Sequence, residues 1–324
     1  MSAVDPVSVV FAGVEPRSDP ELVLVVGQPG SGATRLVSTL MDGERNVGAV
    51  AAEDFAAFHP SFLEVTSRRP FEAPGVMAPQ VAEWIGRTLD HARETRRSLL
   101  FQTSVTTPAP VIATAEQFRE AGFSTRIVVV AERRHESLLA TASRYLNARR
   151  LRLPTRFTDQ ATHDRGWTGT RLLAHEAETA TALDRLTVLD GTGAALFDAS
   201  RPGKFTGAAA VVEAVDTAPV TVLEGARWFG ELRAVTDFAR RSRELAPPLA
   251  EVLRELHQQA LTDVLPKMPV PRESSFVAVQ EERLRSEIRW LQTEFGTAPQ
   301  PPAPTPQPSG PVATPTRSPG GPSL

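Results

Sequence analysis

Residues 22–34, LVLVVGQPGSGAT, constrain this chain more than any other stretch. Leu22–Val26 is apolar throughout and reads as a strand, and Thr34–Met41 reads as the start of a helix. Between them, Gly27-Gln28-Pro29-Gly30-Ser31-Gly32-Ala33-Thr34 matches G-x-x-x-x-G-K-[ST] at every fixed position except the lysine, where Ala33 stands. The glycines of such a loop let successive backbone N–H groups turn inward around a phosphate, and the following helix adds its positive end. All eight residues are therefore candidates for binding ATP, with the Thr34 hydroxyl as the candidate Mg²⁺ ligand. Replacing the lysine removes a full charge but not the backbone cradle. Loss of a transition-state contact of that kind costs roughly 10²–10³ in rate.

Short apolar runs and helical patterns alternate after the loop. Val47–Ala52, Ser98–Gln102, Thr125–Ala131 and Leu186–Leu189 read as strands. Met77–Arg97, Pro108–Ala121, His135–Arg150 and Trp167–Arg185 read as helices, and Gly193–Asp198 as a short extra strand or hairpin arm. Alternation of this kind implies a parallel sheet with crossover helices on both faces. The expectation is an α/β, three-layer P-loop kinase fold with a central, mostly parallel sheet. Residues 1–20 read as a leader with little periodicity, 21–205 as the P-loop domain, and 206–295 as a helical C-terminal extension. Within that extension Glu224–Ala246, Pro248–Leu265 and Val277–Phe295 are the candidate helices. The tail from Gly296 to Leu324 holds ten of the 28 prolines and almost no large apolar residues, so disorder is expected there.

Composition narrows the function. A net charge of −3 over 324 residues gives no reason to expect binding to nucleic acid or to a membrane surface. No apolar run is long enough to span a bilayer. The start, MSAVDPVSVV, lacks a basic region followed by a long apolar stretch, so no signal peptide is expected. There are no cysteines, which excludes thiolate metal sites and cysteine nucleophiles and fits a reducing cytoplasm. The histidines show no metal-ligand spacing. Lys204 and Lys267 are the only lysines, and neither is near the loop in sequence.

The run GQPGSGATRL, with EDFAAFHPSF about 25 residues further on, resembles the zeta toxin family. The resemblance implies a P-loop kinase of a bacterial toxin–antitoxin system. Such a kinase phosphorylates the UDP-sugar UDP-N-acetylglucosamine with ATP, blocks cell-wall synthesis, and is held in check by a cognate antitoxin. Carried over position by position, the base toward the sugar hydroxyl falls on Glu53, with Asp54 beside it. A family arginine falls on Ala56. The run that ends the third strand and holds the sugar becomes Gln102-Thr103-Ser104, with Thr106 where another arginine would stand. The arginine that opens an Arg-Tyr pair and clamps the transferring phosphate is kept as Arg144. A second clamp arginine maps to Arg152, with Arg149, Arg150 and Arg156 competing for the role.

Backbone features thus survive while several side chains that do chemistry do not. A lone Lys→Ala change would suggest an engineered inactive mutant, whereas several losses together favour natural degeneration. Three functions stay open: an impaired ATP-dependent kinase, an inactive relative that binds nucleotide, UDP-sugar or antitoxin without turnover, or a different small-molecule or nucleotide kinase on the same scaffold, since fold alone does not fix substrate. The bland alternatives are a solvated loop pair at Glu53 and Asp54, a strand-end polar residue at Gln102, and a solvated helix face for the arginine run 144–156.

Overall fold

The computed structural model describes residues 4–41, 46–242 and 244–295. Its centre is a six-stranded sheet in the order β2-β3-β1-β4-β5-β6. The strands are β1 (Glu21–Gly27), β2 (Gly48–Ala51), β3 (Leu99–Thr103), β4 (Ser124–Ala131), β5 (Arg185–Asp190) and β6 (Ala195–Ser200). All neighbours run parallel except β6, which returns antiparallel along β5.

Side chains alternate across β1. Leu22, Leu24 and Val26 pack on one face, and Val23 and Val25 on the other. Both faces are covered, which is why these strands read as continuous apolar runs. The first face takes α4 (Ala73–Thr95), α5 (Ala109–Glu120), α7 (Gln160–Ala177) and α8 (Ala208–Thr217), through residues such as Trp84, Phe118, Leu173 and Val212. The second takes α2 (Ala33–Met41), through Ala33 and Leu36. The edge strand β6 is mostly exposed and carries Asp198, paired with Arg185 at 2.7 Å, a charged edge that discourages pairing with another chain.

Several elements depart from the sequence expectation. The first twenty residues lack periodicity, yet α1 (Pro6–Val10) and the turn after it bury Val7, Phe11 and Val14 in the core. The helix expected over Trp167–Arg185 is α7, displaced toward the N-terminus. It starts after Asp159, whose carboxylate accepts the Thr162 N–H at 2.6 Å as an N-cap, and it ends at Ala177. The chain then needs residues 178–184 to bring Ala182 and Leu183 into the core ahead of β5. The short helices α3 (Phe62–Arg68) and α8 were not legible in the pattern.

The C-terminal region is helical. α9 (Val222–Ser242) and α10 (Pro247–Gln259) are followed by a π turn over Ala260–Val264, a last turn α11 (Leu265–Lys267), and α12 (Ser275–Phe295). These helices share a core with α6 (Arg134–Arg150), in which Leu138, Tyr145 and Leu146 meet Trp228, Leu253 and Leu256. Each side chain of this kind contributes roughly 1.5–3 kcal/mol on burial. Arg134 adds polar ties, with both Asp164 oxygens at 2.7 and 2.8 Å and Glu255 at 2.6 Å. The expected disordered tail lies outside the described residues. No described helix is long and apolar enough to cross a membrane.

One buried group in this bundle makes stability depend on pH. His257 is buried, with Nε2 3.1 Å from Thr236 Oγ1 and Nδ1 facing no partner among the described residues. Burial, helped by Arg283 and Arg240, pushes its pKa from 6.5 down to about 4. The unfolded chain therefore takes up a proton at a higher pH than the folded one, and stability falls as pH drops from 6.5 toward 4. Urea unfolding should show a loss of about 2 kcal/mol between pH 7 and pH 5 from this residue. His257→Leu should flatten the slope by that amount; an unchanged slope would refute the assignment.

Candidate functional site

The carboxyl ends of β1, β3 and β4 bring Gly27, Gln102 and Glu132 to one edge of the sheet, where β3 and β4 flank β1 on opposite sides. Open α/β sheets leave a crevice at such a point. Here it is a cleft of about 1050 Å³ lined by all eight residues of the loop.

The loop is held from behind. Gly30 and Gly32 adopt φ of 84° and 86°, left-handed conformations that glycine tolerates. A Cβ on Gly30 would lie 2.0 Å from the Ser137 carbonyl oxygen of α6. The buried Gln28 amide donates to the Glu132 carbonyl at 2.6 Å and lies 3.4 Å from Ser137 Oγ. Ser137 Oγ in turn sits 2.9 Å from His163 Nε2, and His163 Nδ1 is 3.1 Å from Asp164. This Ser-His-Asp order is sealed from solvent at Ser137 and His163, so it serves to hold the loop. Among the described residues no acceptor meets the backbone N–H of Gly30, Gly32, Ala33 or Thr34. These donors at the start of α2 form a ready anion cradle.

A second set of side chains faces the cradle. Thr34 Oγ1 lies 3.0 Å from Glu53 Oε1 and 3.2 Å from Gln102 Oε1, its one proton shared between them. Glu53 is paired with the Arg156 guanidinium, and Arg144 Nη1 is 3.7 Å away. Burial acts to raise the Glu53 pKa, but Arg156, Arg144 and the Thr34 hydroxyl outweigh it and hold it below the usual carboxylate range. A carboxylate so stabilised is a poor proton acceptor and a good ligand. Oxygen donors of this kind suit a hard divalent cation, and among the described residues no cluster of His, Asp and Glu would hold a metal by itself.

Not every residue read from the sequence reaches the cleft. Asp54 turns back and accepts the Ala51 N–H at 3.1 Å, closing the 3₁₀ turn Ala52–Phe58. Arg152 does not line the cleft. It is exposed in a left-handed turn (φ 55°) just past the end of α6, while Arg149 is tied to Glu244 at 2.9 Å. After Pro154 the chain doubles back, Phe157 N–H donates to Pro70 O at 3.2 Å, and Arg156 comes over Glu53. Gln102 and Ser104 both line the cleft, Gln102 buried and Ser104 exposed. His59 Nδ1 accepts the Ser61 N–H at 3.1 Å and shapes a turn.

Neither lysine lines the cleft. Lys267 pairs with Asp263 at 2.5 Å and with the Asp216 carbonyl, and Lys204 is exposed beyond β6. Among the described residues the cations that do line it are Arg35, Arg144 and Arg156. Arg35 is bound to the Gly191 carbonyl at 2.6 Å.

Glu132 and Glu136 also line the cleft, and nothing in the sequence pattern singled them out beyond Glu132 following a parallel strand. Burial, reinforced by Glu132, pushes Glu136 up to about 7. Glu136 therefore gains negative charge as pH rises through neutrality. Sulfate, whose charge is constant there, should bind several-fold more weakly at pH 8 than at pH 6. Glu136→Gln should abolish that difference, and titration calorimetry of both proteins would show whether it does.

The zeta toxin family model matches residues 9–201, more than half of the chain. The chain belongs to the zeta toxin family. The zeta toxin match covers β1 through β6 and so includes every cleft residue described above. A solved structure from the PezAT chromosomal toxin–antitoxin system of Streptococcus pneumoniae is similar over 73% of this chain and 93% of that one, with a TM-score of 0.59 and 16% identity. That likeness shows a shared fold. A structure of the AvrRxo1-ORF1–AvrRxo1-ORF2 complex matches over 84% of this chain and 80% of that one, with a TM-score of 0.46 and 10% identity. No curated protein matches the sequence.

Proposed function

We propose that this zeta toxin family member binds ATP with Mg²⁺ on Gly27–Thr34 and transfers phosphate slowly, because no lysine reaches the bound phosphates. The observation that carries this reading is the set of N–H groups at Gly30, Gly32, Ala33 and Thr34, unpaired among the described residues and facing a cleft that neither lysine lines. Thr34 would ligand the ion, with Glu53 and Gln102 oxygens beside it. An ion held there would supply charge neutralisation to the terminal phosphates. Arg144 and Arg156 would meet the transferring phosphate, since planar guanidinium groups suit phosphate oxygens. To do so they must share or leave Glu53.

An antitoxin is the proposed protein partner, supported by the family and by the toxin–antitoxin origin of the PezAT structure. The acceptor implied by the family resemblance, UDP-N-acetylglucosamine, would bring a second diphosphate to a cleft where both of these arginines already face Glu53. Titration calorimetry with ATP and Mg²⁺ tests the nucleotide reading. Saturable binding that inorganic triphosphate competes away is expected, and no binding at millimolar concentration would overturn it.

A further inference from the structure

The function proposed above gives no part to Glu136, which lines the cleft, or to His135 beside it. His135 is buried at the start of α6, and the C-terminal bundle grips it. Its Nδ1 lies 2.7 Å from Asp263 Oδ2, the Trp228 ring packs edge to face at 5.6 Å, and Trp228 Nε1 donates to the His135 carbonyl at 3.2 Å. Asp263 reaches this position from the π turn Ala260–Val264, a helix form that recurs at functional sites. Its other oxygen takes Lys267. Trp228, Asp263 and Lys267 all lie beyond residue 201, outside the zeta toxin match, so family membership does not account for the contact.

The second ring nitrogen of His135 is left over. Nε2 is buried, meets no hydrogen-bond partner among the described residues, and lies 3.9 Å from Glu136 Oε1. Burial works against an ionised Asp263, but hydrogen bonds from His135 and Lys267 hold its pKa down to about 2. A carboxylate accepts and cannot donate, so the hydrogen of the His135 pair sits on Nδ1. Burial outweighs Asp263 and holds the His135 pKa below the usual histidine value, with Arg133 and Lys267 acting in the same direction. At pH 7 the ring is therefore neutral and Nε2 is an acceptor. Around Glu136 stand three carboxylates, Glu132 before α6 and Glu224 and Glu231 on α9, against one guanidinium, that of Arg133. These surroundings favour a protonated Glu136, and a small side-chain rotation would bring its O–H onto Nε2.

We infer that Asp263 and His135 are positioning residues for the phosphate cleft, fixing an acceptor nitrogen behind Glu136 so that Glu136 keeps its proton while an anion is bound. The bundle thereby sets the charge of the cleft from outside it. An ionised Glu136 would repel the anion, and the proton is exchanged with solvent. The inference rests on the reading of the loop as a phosphate site only where it concerns the anion; the proton arrangement stands without it.

NMR of the imidazole nitrogens and side-chain carboxyls of the full chain tests that arrangement with no ligand present. At pH 7 the wild-type His135 ring should carry its hydrogen on Nδ1 alone, and Glu136 should titrate at about pH 7. Asp263→Ala should move the hydrogen to Nε2, where it donates to Glu136, and lower the Glu136 midpoint by about one pH unit or more. Sulfate affinity near neutral pH should fall severalfold with it. Lys267→Ala breaks the neighbouring bundle contact and leaves the His135 hydrogen bond, so it should lower stability without moving the ring hydrogen. A wild-type hydrogen on Nε2 would overturn the inference, whether or not the variants fold. So would a Glu136 midpoint that Asp263→Ala does not lower, or one that Lys267→Ala lowers equally. A wild type that shows the expected ring hydrogen and Glu136 midpoint but binds no sulfate would support the proton arrangement and count against the phosphate reading alone.

Discussion

Gly30→Ala should destabilise the protein by about 2–4 kcal/mol and abolish anion binding at the loop. Two costs combine. A residue with a Cβ pays roughly 1–2 kcal/mol to hold the left-handed conformation seen at φ 84°. The new methyl would also lie 2.0 Å from the Ser137 carbonyl, a backbone atom of a helix packed on both the loop and the C-terminal bundle, so it cannot move aside cheaply. The remaining response is displacement of the loop, which scatters the N–H groups that make the cradle. Gly230→Ala supplies the control, because a Cβ there meets nothing within 4 Å and the residue sits on an exposed helix face. That variant should be neutral or stabilised by up to about 1 kcal/mol. Urea unfolding and sulfate titration of both variants decide the matter: equal stability and equal binding would show that the loop does not depend on the α6 contact.

Ala33→Lys should raise the rate of ADP formation from ATP by roughly 10²–10³. Ala33 opens α2, lines the cleft and is buried at the foot of the cradle, so a lysine stem would start beside the loop's free N–H groups. The ammonium group would add a charge beside those of Arg144 and Arg156, which share Glu53, while Arg35 is held by the Gly191 carbonyl. A comparable rise in ATP affinity without a rise in rate would mean that the charge is felt equally in ground and transition states. No change in rate would shift the block to the other departures, at Ala56, Gln102 and Thr106. Gln102 is the sharpest of these, because its amide can bond Thr34 but cannot accept a proton.

The two experiments address different levels of the molecule. The first concerns a backbone contact between a loop and a helix 107 positions away in sequence, counted from Gly30 to Ser137. The second concerns one side chain on an otherwise intact cradle. Together they separate a protein that has lost its phosphate site from one that keeps the site and lacks a charge within it.

The loop and the sheet were legible in the sequence because they rest on local chemistry. An apolar strand, glycines at positive φ and a helix start follow one another within a dozen residues, and each sets its own geometry. The parallel order followed from alternating strand and helix patterns, since consecutive parallel strands require crossovers. Thr34, Glu53, Gln102 and Arg144 come together because each stands at or near the end of an element or on a regular helix. What surrounds them was decided by tertiary structure. Among four neighbouring arginines, the one over Glu53 depended on where the chain turned after α6, and Pro154 with the Phe157–Pro70 contact selected Arg156 over Arg152. Asp54 was lost to the site because its carboxylate caps a 3₁₀ turn three residues back. Glu132, Glu136 and the Asp263–His135 contact depend on segments far apart in the chain, and no local pattern marks them. Ala33 belongs to both levels: the sequence alone determined that the lysine is missing, and only the folded chain shows that neither remaining lysine takes its place, because one is paired in the C-terminal bundle and the other is exposed beyond the last strand.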